Sequence, residues 1–364
     1  MATRARSHNY CEIMIGARLL VGTGRTTTRM GAPIAFQEGL YEIARKTYAW
    51  MVPNGSWGET NLGLVDCGRE TVLIDTCWDL HFTREMLRHA EPILSTSPIE
   101  RVINTHGDGD HCWGNQLFAD KLIMSTHACV DYMGHYSPGE MRAVRAGAKL
   151  LRHIPIAGLD SLGRYMARML TPYHFSGIRL SPAHETFSGE KIVTVGGVTL
   201  QLLEFGPGHT RGDCIVWIPE RETVFAGDIL FAGLTPVAWA GPPENIRIGL
   251  RTLLEFDAKI IVPGHGPLAI RNDVHAQIDY WDWLESALEP MARSGVSPFE
   301  ASQRCLRRDD FRTSVFARWS DQERIFTSAC TLYRHWGLMA YTLPDPLGAM
   351  DHFRKQSLIM PTWH

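Results

Sequence analysis

The chain has 364 residues, 45% of them apolar and 21% charged, enough to bury one large core with an appendage. Its net charge of −3 leaves no electrostatic footprint for nucleic acid or an anionic membrane, so neither is expected as a partner. Eight scattered cysteines without a Cys-x-x-Cys pair exclude a disulfide framework and a zinc ribbon, and reduced thiols with no secretory-type apolar run point to the cytoplasm.

In chain order, residues 1–46 have weak periodicity and read as an N-terminal arm that packs on a neighbour or is partly disordered. From 47 to 270 strands alternate with helices. Thr83 is expected to cap a helix reaching residue 90, and another helix is expected over 115–120. Ser137-Pro138-Gly139-Glu140 has the spacing of a capping box ahead of a helix over 141–153, with a second helix over 160–170. Gly196-Gly197 separates two strands, 191–195 and 198–204, as a hairpin turn would. Pro242-Pro243 leads into a helix over 244–256. Residues 271–364 form a helical C-terminal extension, with Tyr280, Trp281, Trp283, Phe316, Trp319, Tyr333 and Trp336 as packing residues. This region either covers a pocket or forms the interface of a homo-oligomer.

The chemistry is concentrated in Asn104-Thr105-His106-Gly107-Asp108-Gly109-Asp110-His111, directly after an apolar β-type run. Imidazole nitrogen and carboxylate oxygen suit a borderline divalent ion such as zinc, and Gly107 and Gly109 are expected to turn the backbone through positive φ. The same grammar recurs in Phe205-Gly206-Pro207-Gly208-His209, in Val224-Phe225-Ala226-Gly227-Asp228 and in Val262-Pro263-Gly264-His265. Each places a candidate ligand after a strand and a glycine, so separate loops are expected to converge at one sheet edge. Cys112 beside the loop reads as a small buried residue rather than a ligand.

This succession of motifs resembles the metallo-β-lactamase superfamily over residues 48–267. The family loop His-x-His-x-Asp-His, followed by a distant His, an Asp and a last His, is matched by His106, Asp110, His111, His209, Asp228 and His265. Asp108 stands where the family has its second histidine. The resemblance implies an α/β fold, an αββα sandwich, here with a helical insertion over about 132–181 and the helical C-terminal extension. It also implies two metal positions, one of His106, His209 and Asp108, the other of Asp110, His111 and His265 with Asp228 bridging. Residues 61–65 correspond to the family's first hairpin, and Asp75, closing the strand 72–74, would orient a ligand histidine. One or two zinc ions are the implied cofactor, with iron or manganese as alternatives because Asp108 adds a hard carboxylate.

The implied reaction is hydrolysis of a small-molecule ester, thioester or lactone by metal-activated water, with Asp110 or Asp228 steering the proton. A di-iron redox enzyme is the alternative reading, and a ligand-binding protein with degenerate metal positions the third. The insertion is placed to act as a lid, and its Tyr136, Tyr165, Met169 and Tyr173 are the candidate apolar pocket wall. Taken singly, they suit the buried faces of the helices at least as well.

Overall fold

The structure, a computed structural model, describes residues 14, 16–156, 158–339 and 346–359. Strands β1 (Arg18–Gly22), β2 (Gly39–Ala44), β3 (Thr47–Met51), β4 (Leu62–Asp66) and β5 (Thr71–Ile74) run antiparallel in succession. Helix α1 (Leu80–Leu94) then carries the chain over to β6 (Ile99–Ile103), parallel to β5. A crossover of this kind is what a parallel pair requires. Beyond a single turn, α2 (Gly109–Cys112), come β7 (Leu122–Thr126), α3 (His127–Met133), α4 (Pro138–Leu151), α5 (Leu159–Leu170) and β8 (Glu185–Phe187), completing an eight-stranded sheet in sequence order.

The second sheet holds β9 (Glu190–Val195), β10 (Val198–Glu204), β11 (Cys214–Ile218) and β12 (Thr223–Phe231), all antiparallel. Helix α6 (Pro243–Glu255) crosses to β13 (Ile260–His265), parallel to β12, so the order is β13-β12-β11-β10-β9. Helices α7 (Arg271–Arg293), α8 (Pro298–Arg307), α9 (Asp309–Thr313), α10 (Ile325–His335) and α11 (Pro346–Ile359) follow.

Strand side chains alternate between faces, and the layering follows from that alternation. In β5, Val72 and Ile74 enter the core shared by the two sheets while Leu73 points to the first sheet's outer face. In β11, Val216 and Ile218 enter the shared core and Ile215 and Trp217 the outer face of the second sheet. Phe82 and Met86 of α1 and Leu162 and Met166 of α5 cover the first outer face; Ile246 and Leu250 of α6, Tyr280 and Trp281 of α7 and Leu332 of α10 cover the second. Strands covered on both sides read as unbroken apolar runs, and β4, β5, β11 and β12 are buried throughout. The result is an αββα sandwich with a helical C-terminal region. Among the described residues no helix is long and apolar enough to cross a membrane.

Several expectations are corrected. Residues 18–44 are not an arm, since β1 and β2 pair with each other and with β3 in the first sheet. No buried apolar run announces them, because β1 has no buried residue and Glu42, ion-paired with Arg18, interrupts the apolar run of β2. Thr83 lies inside α1, whose cap is Asp79, accepting from the Phe82 amide at 2.8 Å. Residues 113–118 are a 3₁₀ segment rather than the start of an α-helix. The capping box of Ser137 and Glu140 is present. The aromatic residues Tyr280, Trp281, Phe316 and Tyr333 of the C-terminal region are buried in the chain's own second core.

Candidate metal centre

The candidate ligands meet at one edge of the sandwich, where strands give way to loops. Asp75 follows β5, the loop 104–108 follows β6, His209 lies between β10 and β11, and His265 is the last residue of β13. Asp228 departs from the expected strand-end position: it sits within β12, which runs to Phe231, where the pairing with β13 becomes irregular. That irregularity turns the carboxylate inward, and Gly264 leaves room for it, since a Cβ there would stand 1.9 Å from Asp228 Oδ1. Gly107 and Gly109 are not at positive φ. They serve close packing instead, because added Cβ atoms would stand 2.7 Å from the Cys129 carbonyl and 2.6 Å from the Trp113 ring.

Asp228 lies at the middle of the cluster. Its Oδ2 is 3.2 Å from His209 Nε2, 3.4 Å from His265 Nε2 and 3.9 Å from His106 Nε2, and its Oδ1 is 3.3 Å from His111 Nε2. On one side, Asp108 Oδ2 is 3.0 Å from His209 Nε2 and 3.8 Å from His106 Nε2. On the other, Asp110 Oδ2 is 3.4 Å from His265 Nε2 and 3.7 Å from His111 Nε2. His106, Asp108 and His209 thus offer one set of donor atoms within 4.8 Å of one another, and Asp110, His111 and His265 offer a second.

All four imidazoles are held from behind through Nδ1. His111 Nδ1 donates to Asp75 Oδ2 at 2.9 Å, His209 Nδ1 to the Val237 carbonyl at 2.8 Å and His265 Nδ1 to the Glu59 carbonyl at 3.0 Å. His106 Nδ1 meets Thr105 Oγ1 at 3.0 Å, and that hydroxyl donates onward to Asp75 Oδ2 at 2.7 Å. Asp75 also accepts the Thr105 amide at 2.7 Å. The Thr60 hydroxyl donates to Asp110 Oδ2 at 2.9 Å. With Nδ1 so engaged, each ring presents Nε2 to the centre, the arrangement by which outer partners orient metal-binding histidines. The donor set fits a metal: His106 Nε2 is buried without a hydrogen-bond partner among the described residues, a state a bound cation relieves.

The electrostatics favour cations. Burial opposes charge on His209 and His265, but Asp228 and the nearer carboxylates outweigh it and push both up to about 9. Burial likewise opposes the charge of Asp228 and Asp110, and the surrounding imidazoles hold both below the ordinary carboxylate range. His209 and His265 thus favour a proton in the metal-free cluster, whereas burial and the neighbouring imidazoles disfavour one on His106; a metal would compete with the protons of the first two.

Not every candidate reaches this centre. Tyr165, Met169 and Tyr173 are fully buried in the core beneath the first sheet's helices, so they form helix and loop packing rather than a pocket wall. Tyr136 is half-buried and touches the metal loop, its oxygen accepting the Gly109 amide at 2.9 Å. Cys112 is buried, its thiol donating to the Asp108 carbonyl at 3.1 Å. The supports from Thr60, Glu59 and Val237 carry no sequence signal, since two act through carbonyl groups. Thr105 adjoins the motif and was legible in principle.

The position of Asp108 yields a direct expectation. Asp108→Ala should lower metal content on the His106 and His209 side, while Asp110, His111 and His265 keep theirs; Asp108→His should restore it with tighter zinc binding. Unchanged metal content and pH profile in Asp108→Ala would remove any special role for this side chain.

Comparison with known proteins agrees with this geometry. The family model for the metallo-β-lactamase superfamily matches residues 55–265. The alpha subunit of 2,4-dinitroanisole O-demethylase from Nocardioides sp. (strain JS1661) is 23% identical over 231 residues, 62% of this chain and 58% of that protein. A stereoselective inverting sec-alkylsulfatase from Pseudomonas sp. superposes with a TM-score of 0.65 at 15% identity, covering 93% of this chain and 56% of that one. A metallo-β-lactamase family protein from Thermus thermophilus superposes with a TM-score of 0.54 at 18% identity, covering 80% of this chain and 94% of its own. The chain thus spans little more than half the length of the demethylase subunit and of the sulfatase. With the family model covering more than half of its residues, this chain belongs to the metallo-β-lactamase superfamily and has its hydrolase-type fold.

Proposed function

We propose that the chain is a metal-dependent hydrolase acting on a small-molecule ester, thioester or lactone with an apolar portion. The observation that carries this reading is the set of four imidazoles, each anchored through Nδ1, turning Nε2 towards three carboxylates. His106, Asp108 and His209 would hold one ion and Asp110, His111 and His265 another, with Asp228 between them. Zinc is the metal this nitrogen and oxygen donor set suits best. A bound divalent ion supplies Lewis acidity and lowers the pKa of water towards neutrality.

The protein's own groups do the rest. Asp110 and Asp228 stay ionised and are placed to accept a proton from attacking water. Burial first, then the charges of Asp108 and Asp110, push the Tyr136 phenol upwards, so it keeps its proton. Its oxygen already accepts from Gly109, which leaves the O–H to donate to a substrate oxygen. Tyr136→Phe is expected to lower kcat by roughly a hundredfold while metal content holds. An unchanged kcat would exclude this donor.

The names of the demethylase relative and the sulfatase neighbour both describe action on a group carried by oxygen, which supports an ester-type substrate. Cys67, Cys77, Cys112, Cys129, Cys214, Cys305 and Cys330 are buried and unpaired, which supports a reducing compartment such as the cytoplasm. The deciding experiment is elemental analysis of protein purified without added metal, alongside a panel of thioesters, lactones, aryl esters and β-lactams. Zinc with turnover of one of these classes is expected. Iron with visible absorption would favour the redox reading, and no tightly bound metal with no turnover would sink both.

A further inference from the structure

We infer that Arg324 is a substrate anchor whose guanidinium, one aromatic ring removed from the metal centre across Phe231, binds an oxyanion group carried by the substrate: a carboxylate, sulfate or phosphate. The inference adds a substrate class to the hydrolase reading and rests on it for the reaction, though not for the binding.

Arg324 immediately precedes α10 and is only 6% exposed. Its guanidinium carbon lies 5.8 Å from the centroid of the Phe231 ring. That ring stacks on His265 at 5.5 Å with an interplanar angle of 5°, and meets His209 at 5.6 Å. Phe231 is therefore the wall between Arg324 and two of the candidate ligand imidazoles. Burial works against the charge of Arg324, but Asp321 foremost and, from the metal centre, Asp228 are among the groups that sustain it.

What sets this arginine apart is how little it touches. Among the described residues its guanidinium makes no hydrogen bond, and its ion-pair partner Asp321 stands at 3.7 Å, beyond hydrogen-bond range. Glu323 does not make up the deficit by hydrogen bonding: its carboxylate side chain makes no hydrogen bond to the guanidinium and instead accepts from the Tyr165 hydroxyl at 3.2 Å. A structural arginine looks different: the buried Arg29 donates to Glu38 Oε1 at 2.8 Å and to the Gly58 carbonyl at 3.4 Å. The side chain of Arg324 is largely enclosed, yet none of its guanidinium nitrogens is among the enclosed polar atoms left without a partner, so the unspent N–H donors face solvent and are free to meet an acceptor from outside.

The surrounding chain holds Arg324 in that position. Asp321 adopts a left-handed backbone with φ of 57°, a conformation that a non-glycine residue keeps only when its surroundings impose it. The Thr235 amide donates to the Ser320 carbonyl at 2.9 Å, tying this turn to the loop after β12. The Thr331 hydroxyl ties α10 to the same loop through the Ala238 carbonyl at 2.7 Å. A planar fork of donors fixed in this way matches a planar carboxylate or one face of a tetrahedral oxyanion.

The test is anion binding, read without turnover. Sulfate, phosphate and acetate are titrated separately, by calorimetry, into the metal-loaded wild type and into Arg324→Met. The variant is expected to keep its metal and to bind the preferred anion about tenfold more weakly or worse. The anion preferred by the wild type identifies the group recognised. An anion held by the metals alone would bind both proteins equally, and that result, or no binding of any of the three to the wild type, overturns the assignment. Should Arg324→Met fail to fold, Arg324→Gln, which keeps polarity without charge, decides by the same criterion. In steady state, KM for an acid-bearing ester should rise about tenfold more than KM for its methyl-capped counterpart. Arg324-dependent anion binding without turnover of any ester would leave the anchor standing and remove the hydrolase reading instead.

Discussion

Asp228→Ala is expected to strip metal from both halves of the centre and to lower turnover by roughly a thousandfold or more, the several kcal/mol that a metal supplies to a hydrolytic transition state. The magnitude follows from position, since this carboxylate approaches His111, His209 and His265 within 3.2–3.4 Å. Among the described residues no other side chain faces both donor sets as closely. Without it, three imidazoles lose the negative charge that draws a cation between them. The fold should survive, because β12 keeps its backbone pairing with β11 and β13 and the removed group faces the centre rather than the apolar core. Asp228→Asn, which preserves shape but not charge, should lose metal as well. Elemental analysis with circular dichroism decides the matter, and a folded variant with its full metal complement would contradict the bridging role.

Asp75→Ala is expected to weaken metal binding by about 10–100-fold without removing a ligand, the usual cost of losing a partner that orients metal-binding histidines. Asp75 takes three donors at once: the Thr105 amide, the Thr105 hydroxyl and His111 Nδ1. Through that hydroxyl it also steadies His106, so one carboxylate sets rings in both halves of the centre. Losing it leaves buried donors unmatched and places alanine at a φ of 61°, so the melting temperature should fall too. The two effects separate in Asp75→Asn, which can accept from the Thr105 amide but carries no charge to hold the imidazoles. There stability should largely recover while metal affinity, measured against a competing chelator, stays reduced. Wild-type affinity in both variants would mean that the histidines are oriented by packing alone.

The sequence by itself determined the set of candidate ligands, because each of them is announced by a local pattern. His106 to His111 follow the β6 run within one short loop, His209 follows a strand and a glycine, and His265 closes β13 directly after a glycine. The layered fold was legible for the same reason: alternation along β5 and β11 and the buried runs of β4 and β12 are properties of consecutive residues. Residues 18–44 were missed where that pattern weakens, at an exposed edge strand whose place depends on its neighbour.

Only the tertiary structure decided how the ligands combine and what supports them. Asp108 meets His209 across 101 positions and His111 meets His265 across 154, separations over which no local periodicity operates. Val237 and Glu59 orient imidazoles through main-chain carbonyls, which any residue type supplies, so their identity carried no information. Tyr165, Met169 and Tyr173 have the composition of a pocket wall and of a core equally. Their complete burial was settled by the packing of α5 and the segment after it against α1 and the C-terminal helices. Arg324 stands in a stretch with no motif, and what distinguishes it, a charge buried behind Phe231 with its donors unspent, exists only once β12 and the C-terminal region are folded together.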